Sequence, residues 1–202
     1  MPEFFELSQL SPTPWKNGGG VTCEIVCVPP GAGIGDFDWR VSIASIAADG
    51  PFSAFPGVDR VIVLLDGSGV RLRSRDGKVD HRLDTPLAPF AFAGELPIDC
   101  SLLAGPSSDF NVMTRRGLLH AELRVLRQAT ELPACTQGLL FAARGAWQAR
   151  TSTPAGDAAF PADATLQADA GLWWNEAASA WNLTPTTPDA ALIAVQLWPG
   201  PP

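Results

Sequence analysis

Apolar and polar positions along the chain alternate in short runs and do not recur at helical spacing. The runs are Val21–Val28, Trp39–Ile46, Val58–Leu65, Val70–Arg75, Ile98–Leu103, Phe110–Thr114 and Leu119–Leu126, followed by Gly138–Ala143, Ala146–Ser152, Gly171–Trp174 and Ala191–Trp198. Each is bounded by turn residues, and many short runs at fairly regular spacing predict strands of a sandwich or barrel. With 19 glycines and 19 prolines spread through 202 residues, few stretches are long enough for a helix. Ala158–Ala170 is the best helix candidate, and Pro161 limits it to a turn or two. The chain is therefore expected to be all-β.

A weak internal repeat refines that expectation. Val61-Ile62-Val63-Leu64-Leu65-Asp66-Gly67-Ser68-Gly69-Val70 is an apolar strand, a tight Asp-Gly turn and a second strand, and Gly138–Trp147 has the same plan. Each is followed by a polar connection and then an apolar segment with an acidic residue, Pro89–Glu95 and Leu172–Glu176. Two copies of one β unit predict two stacked jelly-roll-like barrels in one chain. The division is placed after Arg115-Arg116-Gly117, giving a barrel over 1–120 that bears the pocket. A smaller, Ala-rich and mainly structural barrel follows over 121–202.

Composition narrows the function. Hydrophobic residues at 46% against charged residues at 17% describe a chain able to bury a core. The formal charge of −7 disfavours nucleic acid, whose affinity rests on a concentrated basic surface. Arg71, Arg73 and Arg75 form the one noticeable basic cluster, and their period-2 spacing predicts the solvated face of a strand. No apolar run approaches a membrane span, and the acidic start Met1-Pro2-Glu3-Phe4-Phe5-Glu6 lacks the order of a secretion signal. A cytoplasmic protein with no membrane partner is expected. Cys23, Cys27, Cys100 and Cys135 match no zinc or redox spacing and are expected as structural thiols. In a strand, Cys23 and Cys27 would lie about 13 Å apart, beyond disulfide reach. His81 and His120 stand apart from any Ser or Cys arranged as a nucleophile with its base, so a hydrolase triad has no support.

Three segments carry candidate chemistry. In Thr13-Pro14-Trp15-Lys16-Asn17-Gly18-Gly19-Gly20-Val21-Thr22-Cys23-Glu24, the glycines let a backbone approach closely, with Trp15 as a flat wall. Lys16 adds a charge and Asn17 an amide, a set suited to an anionic or amide-bearing molecule; a sharply turning arm with Trp15 as a core plug fits the segment equally well. In Trp39–Ala44, alternation places Trp39, Val41 and Ile43 on one face and Arg40, Ser42 and Ala44 on the other. Arg40 and Ser42 then face either solvent or a barrel cavity. In Ser107–Arg116, Asp109, Asn111 and Met113 share one parity, so a carboxylate, an amide and a thioether point one way, into a pocket or along an edge strand.

Gly50-Pro51-Phe52-Ser53-Ala54-Phe55-Pro56-Gly57-Val58-Asp59-Arg60-Val61 resembles the first motif of the cupins, in which His-x-His-x-x-x-Glu binds a metal ion. Ser53, Phe55 and Asp59 stand at those ligand positions. A phenylalanine cannot ligate and serine is a poor ligand for a transition metal, so no metal centre and no cofactor are expected.

With Trp15-Lys16-Asn17-Gly18-Gly19-Gly20, Thr22 and Glu24, with Asp38–Ala44 and with Asp109–Gly117, this motif makes the chain similar to the HutD/Ves family of cupin-related bacterial proteins. The match is strong over 4–120 and holds in outline beyond. Cys23 departs from it, standing where a basic or polar residue is expected. The resemblance implies a bicupin fold, a homodimer and no established enzyme activity. It also implies, for HutD-type members, an association with histidine utilisation, whose intermediates urocanate and formylated or formiminated glutamate carry carboxylates. The Ves branch, linked to cold response, leaves the ligand open. The expected function is metal-independent binding of a small carboxylate metabolite, as a sensor or regulator. Arg60 would be the chief anchor, with Arg40 and Lys16 as auxiliaries and Asn17 and Asn111 for an amide or imidazole edge. Gly19, Thr22, Glu24, Ser42, Asp109 and Met113 complete the expected site, with Trp15 as its wall. The alternative is a metal-independent isomerase or hydrolase using Glu24 or Asp59 as general base.

Overall fold

The computed structural model describes residues 2–33, 35–151, 163–176 and 178–200. Among them the regular elements are strands, with one 3-10 turn at Leu7–Gln9 and no α-helix. No helix is long and apolar enough to cross a membrane. All eleven expected runs are strands, with ends shifted by at most three residues. Of the helix candidate, residues 158–162 lie outside the described residues and Asp163–Leu166 is a strand, so the helical expectation is corrected there. Alternating burial in that strand (Ala164 and Leu166 inside) outweighs the helix propensity of its alanine.

The strands form four antiparallel sheets. The largest has the order β2 (Pro12–Pro14), β3 (Gly20–Val28), β4 (Trp39–Ile46), β11 (Ser107–Arg115), β6 (Val58–Gly67), β9 (Pro89–Ala93). A four-stranded sheet runs β5 (Gly50–Pro51), β10 (Ile98–Leu102), β7 (Val70–Ser74), β8 (Asp80–Leu83). The third runs β1 (Glu3–Glu6), β17 (Ala170–Trp174), β14 (Gln137–Arg144), β19 (Ala191–Pro199), β12 (Leu119–Leu126). The fourth runs β13 (Thr130–Cys135), β18 (Ser179–Pro185), β15 (Trp147–Thr151), β16 (Asp163–Leu166).

The strand order repeats. The sequence β4-β11-β6-β9 recurs as β12-β19-β14-β17, and β5-β10-β7-β8 recurs as β13-β18-β15-β16. The two strand–turn–strand segments read from the sequence occupy matching places in this plan. They are corners between sheets and not hairpins, because β6 and β7 lie in different sheets, as do β14 and β15. Glycine is required at the first corner. Gly67 and Gly69 have φ of 92° and 87°, and a Cβ on Gly69 would sit 2.1 Å from the Leu83 carbonyl oxygen.

Two compact units result, one over Leu10–His120 and one that joins the N-terminal residues up to Gln9 to Ala121–Pro199. The sequence had assigned the N-terminal strand to the first barrel. In the structure Glu3–Glu6 pairs with Trp173–Ala170. Each unit is a pair of packed sheets, and the sheets are not joined into closed barrels. In the first unit Ile46, Ile62 and Leu64 of the large sheet pack on Val70, Leu72, Leu83, Ile98 and Cys100 of the small one. In the second, Leu140, Leu172, Trp174 and Leu192 meet Trp147, Leu166, Trp181 and Leu183. All four cysteines are free thiols; Cys27, Cys100 and Cys135 are buried and Cys23 is partly so.

Candidate functional site

Strand parity builds the site. On the large sheet of the first unit, Met113 lies opposite both Arg40 and Arg60, and Arg60 lies opposite Phe92. The next row on the same face is Asn111 beside Ser42 and Ile62, with Glu24 beyond Ser42. The row after that is Asp109 beside Ala44 and Leu64, with Thr22 beyond Ala44. On this face Ile62, Leu64 and Phe92 pack into the core. Arg40, Ser42, Arg60, Asp109, Asn111 and Met113 border a cavity of about 510 Å³.

Ten of the twelve expected site residues line that cavity. Arg40, Ser42, Arg60, Asp109, Asn111 and Met113 come from the sheet, Thr22 from β3, and Trp15, Lys16 and Asn17 from the preceding loop. Gly19 and Glu24 do not line it. The carbonyl of Gly19 accepts hydrogen bonds from the Ala47 and Ala48 amides at 2.8 and 3.2 Å, and its own N–H donates to Asn17 Oδ1 at 3.0 Å. It docks the glycine loop onto the end of β4. Glu24 accepts a hydrogen bond from Arg40 Nε at 2.6 Å, in a half-exposed ion pair.

The loop itself is closed. The Trp15 amide donates to the Gly20 carbonyl at 2.9 Å, the Gly18 amide to the Trp15 carbonyl at 3.0 Å, and Trp15 Nε1 to Thr22 Oγ1 at 2.7 Å. The indole is thus pinned at both ends as a wall.

Arg60 is the most unusual group. It is 5% exposed, and its guanidinium lies 5.2, 5.4 and 5.0 Å from the ring centres of Phe52, Phe55 and Phe92. Three ring faces attract the cation but cannot accept hydrogen bonds in its plane, and Nε has no partner among the described residues. Burial lowers its pKa to about 10, with Asp109 opposing the shift and Arg40 adding to it. Asp109, 3% exposed, is pushed up to about 7 by burial, against the pull of Arg60. Asn111 Oδ1 is buried without a hydrogen-bond partner among the described residues. Unpaired buried groups of this kind are rare and costly in folded proteins.

The cupin metal positions do not assemble a metal site. Ser53 and Phe55 line the cavity, while Asp59 turns away to Arg116, which it meets at 2.7 Å and which also binds Glu95. No group of three or more His, Cys, Asp or Glu side chains comes together among the described residues. This donor set does not fit a transition metal. Both carboxylates offered as general bases, Glu24 and Asp59, are engaged by arginine.

Sequence reasoning missed the aromatic cage. Pro14, Ala44, Pro51 and Phe52 also line the cavity, and Phe92 closes the cage from β9. The spacing of Phe52 and Phe55 beside an arginine strand was the available signal, but the third ring comes from a strand whose register the sequence does not fix.

Fold and cavity together define a cupin-like, all-β protein with a buried cationic pocket. The HutD family model matches residues 7–193, and the chain belongs to that family. It is 39% identical over 175 residues to Protein Ves of Cronobacter sakazakii, covering 86% of this chain and 87% of Ves. It is similar to a conserved protein of unknown function from Pseudomonas aeruginosa, with TM-score 0.81, 30% identity and 98% of each chain covered. HutD from Pseudomonas fluorescens, in a formate condition, gives TM-score 0.80 at 28% identity, with 100% of each chain covered. At 9% identity and TM-score 0.63, the oxalate decarboxylase of Lactobacillus farciminis shares the fold alone, over 98% of this chain and 86% of that one.

Proposed function

We propose that this chain is a metal-independent binding protein for a small carboxylate-bearing metabolite, a sensor or regulator in histidine catabolism with a urocanate- or formylglutamate-type ligand. The observation that carries the proposal is Arg60, a buried guanidinium that lines the cavity and whose Nε has no partner among the described residues. A ligand carboxylate would supply the in-plane acceptors that the phenyl cage lacks. Asn111 Oδ1, likewise unpartnered, would accept from an imidazole or formamido N–H. Support for the ligand class comes from the association of HutD-type members with histidine utilisation, together with membership of the HutD family. The repeated strand order supports taking the chain as a bicupin.

The test is thermal unfolding with urocanate and formylglutamate. A ligand at a hundredfold excess over its Kd stabilises the native state by about 2.7 kcal/mol, which at this size shifts the midpoint by several degrees. The shift is expected for the native protein and is lost in Arg60→Met. No shift with any intermediate of the pathway overturns the proposal.

A further inference from the structure

The cavity holds a second buried ionisable group that anion binding by Arg60 leaves unexplained. Asp109 lies on β11, beside Ala44 and Leu64 in register, and its carboxyl borders the same cavity as Arg60. Among the described residues its side chain forms no hydrogen bond and no ion pair. The ionisable groups around it are Arg60 from β6, Arg40 from β4 with its partner Glu24 on β3, Cys100 from β10, and Lys16 across the cavity.

The ligand of the proposed function is an anion, and here Asp109 creates a conflict. An ionised Asp109 would oppose the field of Arg60 and repel a carboxylate entering the cavity that both line. Two carboxylates sharing one buried cation cannot both stay ionised without a large cost. The neutral acid removes the repulsion and adds a donor, since a protonated carboxyl can give its O–H to a carboxylate oxygen.

We propose that Asp109 enters the complex as the neutral acid, its hydroxyl donating to the ligand carboxylate held by Arg60, so that anion binding and uptake of one proton are a single event. The inference rests on the proposed function only in requiring that the cavity accept a carboxylate. The proton comes from solvent and stays on the Asp109 carboxyl, and no bond in the ligand breaks. The charge of the cavity is conserved, because the ligand anion replaces the aspartate anion in the cavity that Asp109 shares with Arg60. Burial already holds the free Asp109 near about 7, so the exchange falls in the physiological range. Arg60 at about 10 and Cys100 at about 12 keep their protons there.

The experiment is calorimetric titration with formate, the simplest carboxylate, from about pH 6 to about pH 8.5 in two buffers of different ionisation enthalpy. Formate affinity should be level at the acid end and weaken about tenfold per pH unit above about pH 7. The buffer-dependent heat should report uptake of close to one proton at the alkaline end. In Asp109→Asn the pH dependence should vanish. Formate binding that is independent of pH, or that keeps its pH dependence in Asp109→Asn, overturns the inference and leaves the proposed function standing. Proton-linked formate binding with no response to urocanate or formylglutamate supports the inference and overturns the ligand class. Absence of formate binding at every pH overturns the inference. Should Asp109→Asn fail to fold, carbon NMR of the native Asp109 carboxyl decides. A midpoint near about 7 that formate raises supports proton uptake, and a midpoint in the ordinary carboxylate range overturns it.

Discussion

Arg60 is costly to the empty fold for the same physical reason that it is useful to a ligand. Its guanidinium is desolvated, and three phenyl faces at 5.0 to 5.4 Å are its near neighbours. Each face contributes on the order of 1–2 kcal/mol when desolvated, while removing the ion from water costs several. Methionine has a similar length, no charge, and a thioether that packs well against aromatic rings. Asp109 would not become an orphaned anion in such a variant. Arg60 is the group that pulls its pKa down, so without it the carboxyl stays protonated to higher pH. Arg60→Met should therefore stabilise the ligand-free protein by about 1–3 kcal/mol in thermal or urea unfolding. A variant several kcal/mol less stable would show instead that the cage already compensates the charge.

At the scale of elements, the three consecutive glycines that lead into β3 have distinct roles. Gly18 has φ of 71°, Gly19 supplies the carbonyl that holds Ala47 and Ala48, and Gly20 passes against β4. A Cβ on Gly20 would lie 2.3 Å from the Ser45 carbonyl oxygen and 3.2 Å from the Trp15 ring. Gly20→Ala should therefore cost about 1–3 kcal/mol by overpacking and push the indole from Thr22. The loss of the Trp15 indole N–H signal from its bonded position would be seen by NMR. The ligand-induced thermal shift would fall with it. A variant with native stability and an unmoved indole would contradict this account. The sequence showed that the glycine cluster mattered without separating these roles. It also yielded the parity of β4, where Arg40, Ser42 and Ala44 do share the cavity side. The bulge between Glu24 and Val26 was not legible, because an extra residue shifts parity without any side-chain signature. Nor was the cage, since Phe52, Phe55 and Phe92 meet Arg60 only through tertiary register.

Across the whole molecule, the all-β class and the internal repeat were legible because both rest on local alternation and turn chemistry. The pairing of the N-terminal strand was not, because an edge strand carries little information about its partner. Phe5 makes that pairing specific. It is 9% exposed, stacks on Phe141 at 6.1 Å between centroids, and packs over Gly171, where an added Cβ would come within 2.5 Å of its ring. The absence of a side chain at Gly171 makes room for the ring, and the four-residue ladder of β1 on β17 fixes its position. Phe5→Ala would remove a buried ring from a site with little means of collapse, at a cost of about 3–5 kcal/mol. The damage should be local to the unit built from Ala121–Pro199. Amide hydrogen exchange should accelerate most in Ala170–Trp174 and Gln137–Arg144. Trp39–Ile46 and Ser107–Arg115, which carry the cavity, should be affected less, and the thermal response to ligand should survive. Equal loss of protection in both sets of strands would mean that the two units open as one cooperative body, and the N-terminal strand would then support the cavity as well as the second unit.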